Sequence, residues 1–67
     1  MNRAFLAKRM QELGLDIPAL AKLSGISAQT LQKVLRGYEP EFPRVVALAK
    51  VLQCEVDDLL IKTEAVG

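Results

Sequence analysis

The sequence predicts an all-α fold, a compact domain of five short helices. Apolar residues recur at helical spacing along nearly the whole chain. The helical stretches are separated by single glycines or by one proline-bearing loop. No stretch has the pattern of a hairpin, an internal repeat or a low-complexity tract.

The first helix carries Leu6, Met10 and Leu13 at i, i+4 and i+7, with Phe5 beside them. Asn2 is placed to cap its start and Gly14 to end it. Asp16 caps a second helix. Ile17 and Pro18 fill its first turn, where proline lacks only an N–H that has no helical partner. Leu20, Ala21 and Leu23 continue this helix, and Gly25 stops it.

Ser27 caps a third helix from Ala28 to about Arg36, which divides cleanly. Leu31, Val34 and Leu35 point inward, and Ala28, Gln29, Gln32, Lys33 and Arg36 lie on the opposite face. Gly37 ends it. Residues 38–43 form a loop, because Pro40 and Pro43 interrupt helix and central strand alike.

A fourth helix runs from about Pro43 or Arg44 to Leu52, with Val45, Leu48, Ala49 and Leu52 inward. A fifth starts near Glu55. Its acidic first turn (Glu55, Asp57, Asp58) suits the positive end of the helix dipole, and Val56, Leu59 and Leu60 are its apolar residues. Residues 1–62 form the domain, and residues 63–67 read as a frayed tail.

Composition narrows the function. The 67 residues are 51% hydrophobic and 25% charged, with a net charge of +1. That is one domain, too apolar to be disordered and too short for the large closed cleft of most small-molecule enzymes. At roughly 0.05–0.15 kcal/mol per residue, its stability is about 3–10 kcal/mol. The one cysteine, Cys54, has no partner for a disulfide within the chain and reads as buried packing. There is no histidine, and no zinc-type ligand spacing. No cofactor, metal or small-molecule substrate is expected.

No apolar run approaches a membrane span, and Lys8 and Arg9 break the opening apolar stretch as no secretory leader would. A reducing, cytoplasmic location is the expectation. Ser24 and Ser27 have no histidine to activate them, so catalysis is not expected.

The small net charge conceals an asymmetry. Residues 1–38 hold six basic side chains (Arg3, Lys8, Arg9, Lys22, Lys33, Arg36) against two acidic ones (Glu12, Asp16), a net of +4. Residues 39–67 hold three basic (Arg44, Lys50, Lys62) against six acidic (Glu39, Glu41, Glu55, Asp57, Asp58, Glu64), a net of −3. Such a split suits a molecule with one side facing an anion.

Helices two and three form a helix-turn-helix: two short helices crossing steeply over a tight turn. Ala21 is the small residue where the backbones meet, Gly25 supplies the positive φ of the turn, and Ile26 plugs the space beneath it. Leu20, Leu31 and Val34 fill the core behind the pair.

With these residues in place the sequence resembles the Cro and phage-repressor (XRE-type) class of helix-turn-helix domains, which have a lambda-repressor-like fold. The resemblance runs through Gly14-Leu15, Leu20-Ala21-Lys22-Leu23-Ser24-Gly25-Ile26-Ser27, and Thr30-Leu31 to Arg36-Gly37. It continues through Leu48-Ala49-Lys50-Val51-Leu52 and Val56-Asp57-Asp58-Leu59-Leu60, so that it covers about residues 3–62.

What the resemblance implies is a small transcriptional regulator whose third helix enters the major groove of double-stranded DNA. The implied base-reading positions are Ala28, Gln29, Gln32 and Lys33. Their chemistry suits the role: glutamine pairs bidentately with adenine, lysine donates to guanine O6/N7, and an alanine methyl meets a thymine methyl. Free backbone N–H groups at the helix starts marked by Asp16 and Ser27, together with Thr30, Arg36 and Arg44, make the expected phosphate set. The resemblance further implies a homodimer on DNA, with Phe42, Val56, Asp58 and Ile61 at the contact.

The sequence departs from the family pattern in three places. Ile17 stands where a glutamine is usual. Tyr38-Glu39-Pro40-Glu41 replaces a loop that is often basic, and carboxylates near a phosphate backbone weaken binding. Met10 and Leu35 replace a buried Arg–Glu pair, a change that avoids desolvation and leaves the fold secure. Ile17 and the acidic loop favour the alternative function, a helix-turn-helix scaffold that docks another protein, for example as an antitoxin-like subunit.

Overall fold

In the computed structural model, which describes residues 1–60, five helices follow in order: α1 (Arg3–Leu13), α2 (Ile17–Ser24), α3 (Ala28–Leu35), α4 (Phe42–Leu52) and α5 (Val56–Leu60). No strand occurs among the described residues. Ile61 and the tail at residues 63–67 lie outside them.

The expected caps are present. Asn2 Oδ1 accepts from the Phe5 N–H (3.0 Å), Asp16 Oδ1 from the Ala19 N–H (2.9 Å) and Ser27 Oγ from the Thr30 N–H (3.1 Å). Each satisfies one of the orphan donors of a helix's first turn. At α5 the Asp58 carboxylate accepts from the Glu55 N–H (3.1 Å). The exception is α4, whose flanking residue Glu41 makes no side-chain cap. This helix starts at Phe42, one or two residues before the expected Pro43 or Arg44, because proline is well suited to a helix's first turn.

One core unites the helices: Leu6 and Met10 of α1, Leu20 of α2, Leu31 and Val34 of α3, Val45, Leu48, Ala49 and Leu52 of α4, and Leu59 of α5. Ile26 is buried under the α2–α3 turn, as its plug role requires. Met10 is buried and Leu35 is partly buried against the same core, so apolar packing occupies the place of the buried ion pair.

Three residues are less buried than their apolar character suggests. Leu23 is 61% exposed, because the inward stripe of α2 is Ile17, Leu20, Ala21 and Ser24, and Leu23 falls outside it. Leu60 is likewise exposed. Cys54 is half-buried rather than buried, since α4 ends at Leu52 and the turn carries Cys54 to the surface.

The N-terminus has a structural role that periodicity does not reveal. Met1 and Asn2 are both buried. The Asn2 N–H donates to the Leu59 carbonyl (2.7 Å), and the Met1 ammonium pairs with Glu39. These two residues therefore lie between the end of α5 and the α3–α4 loop.

The C-terminus of α4 is fastened by Arg9. Its Nε donates to the Leu52 carbonyl (2.9 Å) while its guanidinium pairs with Glu12 (3.1 Å). The turn there places Gln53 at φ 56, ψ 48, with the Cys54 N–H donating back to the Ala49 carbonyl (3.0 Å). A left-handed conformation costs a side chain about 1–2 kcal/mol that glycine avoids. Gln53→Gly is therefore expected to raise stability by about 0.5–1 kcal/mol, the entropy of the unfolded glycine offsetting the rest. Comparison of urea midpoints checks it.

Candidate nucleic-acid interface

The rotational setting of α3 is fixed by Leu31 and Val34, each 1% exposed, which anchor one face in the core. Gln29, Gln32, Lys33 and Arg36 are consequently exposed, and Ala28 is half-buried at the start of the helix. The outward face thus holds two amides, an ammonium and a guanidinium, and no carboxylate. The four predicted base-reading residues come together on this face.

The turn before α3 aims its first residues outward. Gly25 adopts φ 77, which a residue with a Cβ reaches only under strain, and its N–H closes α2 on the Ala21 carbonyl (2.9 Å). Ser24 Oγ accepts from the Ile26 N–H (3.2 Å), which holds the turn and gives this hydroxyl a structural use. Ser27 Oγ caps α3 and also donates to Thr30 Oγ1 (2.9 Å), so the Thr30 hydroxyl proton stays available to an outside acceptor.

The two helix starts differ as anion sites. At α3 the Thr30 N–H is held by Ser27, while the Ala28 and Gln29 N–H groups have no partner within the described residues. At α2 the Asp16 carboxylate holds the Ala19 N–H, Pro18 has no N–H, and only the Ile17 N–H is left, beside a negative charge. A phosphate is favoured at the first start and disfavoured at the second.

Arg44 is exposed in the first turn of α4, without an ion-pair partner among the described residues. In the α3–α4 loop, Glu39 is engaged by the Met1 ammonium, which reduces the negative field expected there. The predicted dimer residues are less uniform. Phe42 is 62% exposed, whereas Val56 and Asp58 are half-buried and Asp58 caps its own helix. Tyr38 and Leu60 are also exposed. The Met1–Glu39 and Asn2–Leu59 contacts bring the loop and the end of α5 to one side of the molecule.

Away from α3 lies an open groove of about 530 Å³, lined among others by Phe5, Arg9, Lys50, Cys54 and Asp58. Burial raises the Cys54 thiol pKa above its ordinary value. Asp58 raises it further, Arg9 opposes, and Glu55 adds to the rise, so the reactive thiolate is disfavoured. No group of three or more His, Cys, Asp or Glu side chains is placed to hold a metal ion among the described residues. No helix among them is long and apolar enough to cross a membrane.

A family model described as helix-turn-helix matches residues 6–59. No curated protein and no solved structure matches the chain significantly. The matched span begins inside α1 and ends inside α5, and so contains the whole outward face of α3.

Proposed function

The chain belongs to the XRE-type (Cro and phage-repressor) helix-turn-helix family, whose members are DNA-binding transcription regulators, and from that premise we propose that it is a sequence-specific, cytoplasmic regulator of the phage-repressor type. Residues 1–62 are its DNA-binding domain. The observation that carries this reading is the acid-free outward face of α3, where Gln29, Gln32 and Lys33 stand exposed over a rigid core.

Gln29 and Gln32 hydrogen-bond adenine edges, Lys33 donates to guanine, and the Ala28 methyl packs on a thymine methyl. Ser27 holds the start of α3, so that the Ala28 and Gln29 N–H groups meet a phosphate together with the Thr30 hydroxyl. Arg36 and Arg44 neutralise flanking phosphates. Asp16 contributes only through the adjacent Ile17 N–H and makes the weakest contact of the set.

Two copies bind as a homodimer, placing two α3 helices about 34 Å apart on a near-palindromic site. Phe42, Val56, Asp58 and Ile61 form its contact. The exposure of Phe42, and of Tyr38 and Leu60 nearby, supports that placement.

A protein-docking scaffold is the second reading, favoured by Leu23 at 61% exposure on α2 and by Glu41 in the loop. A salt titration of binding to duplex DNA separates the two. With Arg36 and Arg44 displacing counterions, log K is expected to fall against log salt with a slope of about −2 or steeper per bound copy. The same titration should give two copies per palindromic duplex. No binding at low salt favours the docking scaffold, and one copy per duplex removes the dimer.

A further inference from the structure

Arg3 is an exposed cation on α1 that the sequence does not connect with α3. The fold brings its side chain to the end of the reading helix. Its Nη1 donates to the Leu35 carbonyl (3.5 Å). The guanidinium lies beside Gly37, where a Cβ would stand in ordinary contact, 3.7 Å from Nη1. Arg3 thus sits beside Gly37, the neighbour of Arg36.

Its charge is uncommitted among the described residues. Arg9, also on α1, is held by Glu12 and by the Leu52 carbonyl, whereas among the described residues Arg3 makes no ion pair and only one long hydrogen bond. Four of its five N–H donors are therefore available to an outside acceptor. A planar guanidinium with free donors is suited to bidentate contact with phosphate oxygens. The Leu35 carbonyl holds the guanidinium at the C-terminal end of α3, which Arg36 caps.

We propose that Arg3 is a phosphate-binding residue of the DNA interface, reaching from α1 to extend the cationic rim at the end of α3. The proposal rests on the DNA reading given above. It makes α1 part of the footprint, and it supplies a cation where the loop that follows α3 is acidic.

The test is a salt titration of the full chain, Arg3→Gln and Arg3→Lys on a mixed-sequence B-DNA duplex, with a thermal unfolding curve for each protein. Arg3→Gln is expected to flatten the slope of log K against log salt by about 0.9 per bound copy, equally on all sequences. Arg3→Lys, which keeps the charge, restores the slope. An unchanged slope in Arg3→Gln, with the unsubstituted chain still steep, overturns the role of Arg3 alone. So does a slope lost in Arg3→Lys as well, because charge would then not be the cause. If the unsubstituted chain shows no salt-dependent binding, the DNA reading itself falls and Arg3 with it.

Discussion

Leu31→Ala is expected to lower stability by about 2–5 kcal/mol. Leu31 is 1% exposed, on the inward face of α3, within the core shared with Leu20, Val34 and Leu48. Truncation removes buried methyl and methylene groups and leaves a cavity that close packing fills only partly. A chain of this length has only about 3–10 kcal/mol in total, so the variant should be unfolded in substantial part without denaturant. Apparent DNA affinity should fall by the same factor as the folded fraction. Leu60→Ala is the control: Leu60 is 45% exposed, and its loss should shift stability by no more than about 0.5 kcal/mol. Urea unfolding followed by far-ultraviolet circular dichroism compares the two. Equal costs would contradict the anchoring of α3 by its inward face.

Gln29→Ala and Lys33→Ala are each expected to weaken binding to the preferred site by about 1–3 kcal/mol, roughly 5- to 150-fold. Both residues are exposed and make no side-chain hydrogen bond within the described residues, so stability should stay within about 0.5 kcal/mol. The loss should be specific, since each variant accepts other bases at one position of the site. Arg44→Ala should weaken binding to every sequence alike and flatten the salt dependence by about 0.9 per bound copy. Equilibrium titrations on the preferred duplex and on single-position variants distinguish these patterns.

Much of the fold is legible because its signals are local. Asn2, Asp16 and Ser27 each precede an apolar periodic run, and each caps the helix expected of it. Leu31 and Val34 at i and i+3 fix which way α3 turns, and that alone places Gln29, Gln32 and Lys33 outward. Leu23 is a case where apolar character misleads, because its angular position lies off the inward stripe of α2.

Several of the remaining features depend on long-range contacts that carry no pattern in the chain. Arg9 meets the Leu52 carbonyl 43 residues away, and Arg3 meets Leu35 across 32. A flexible arginine finds such acceptors only after the helices have packed. The burial of Met1 and Asn2 is equally silent, since it comes from a backbone bond to Leu59 and precedes any helical period. Gln53 is left-handed where the usual residue is glycine, and its turn is held instead by the returning Cys54 N–H. Within the candidate interface, the side-chain types were readable. The inequality between the α2 and α3 starts was not, because it depends on which N–H groups the caps already occupy.

The role proposed for the outward face of α3 is the reading of base sequence. Its most direct test is selection from a randomised duplex pool, performed in parallel with the unsubstituted chain, Gln29→Ala and Arg44→Ala. We expect a near-palindromic enriched site, with one position per half relaxed in Gln29→Ala and the same site, more weakly held, in Arg44→Ala. No enriched site for the unsubstituted chain, or indistinguishable profiles for the two variants, would contradict it.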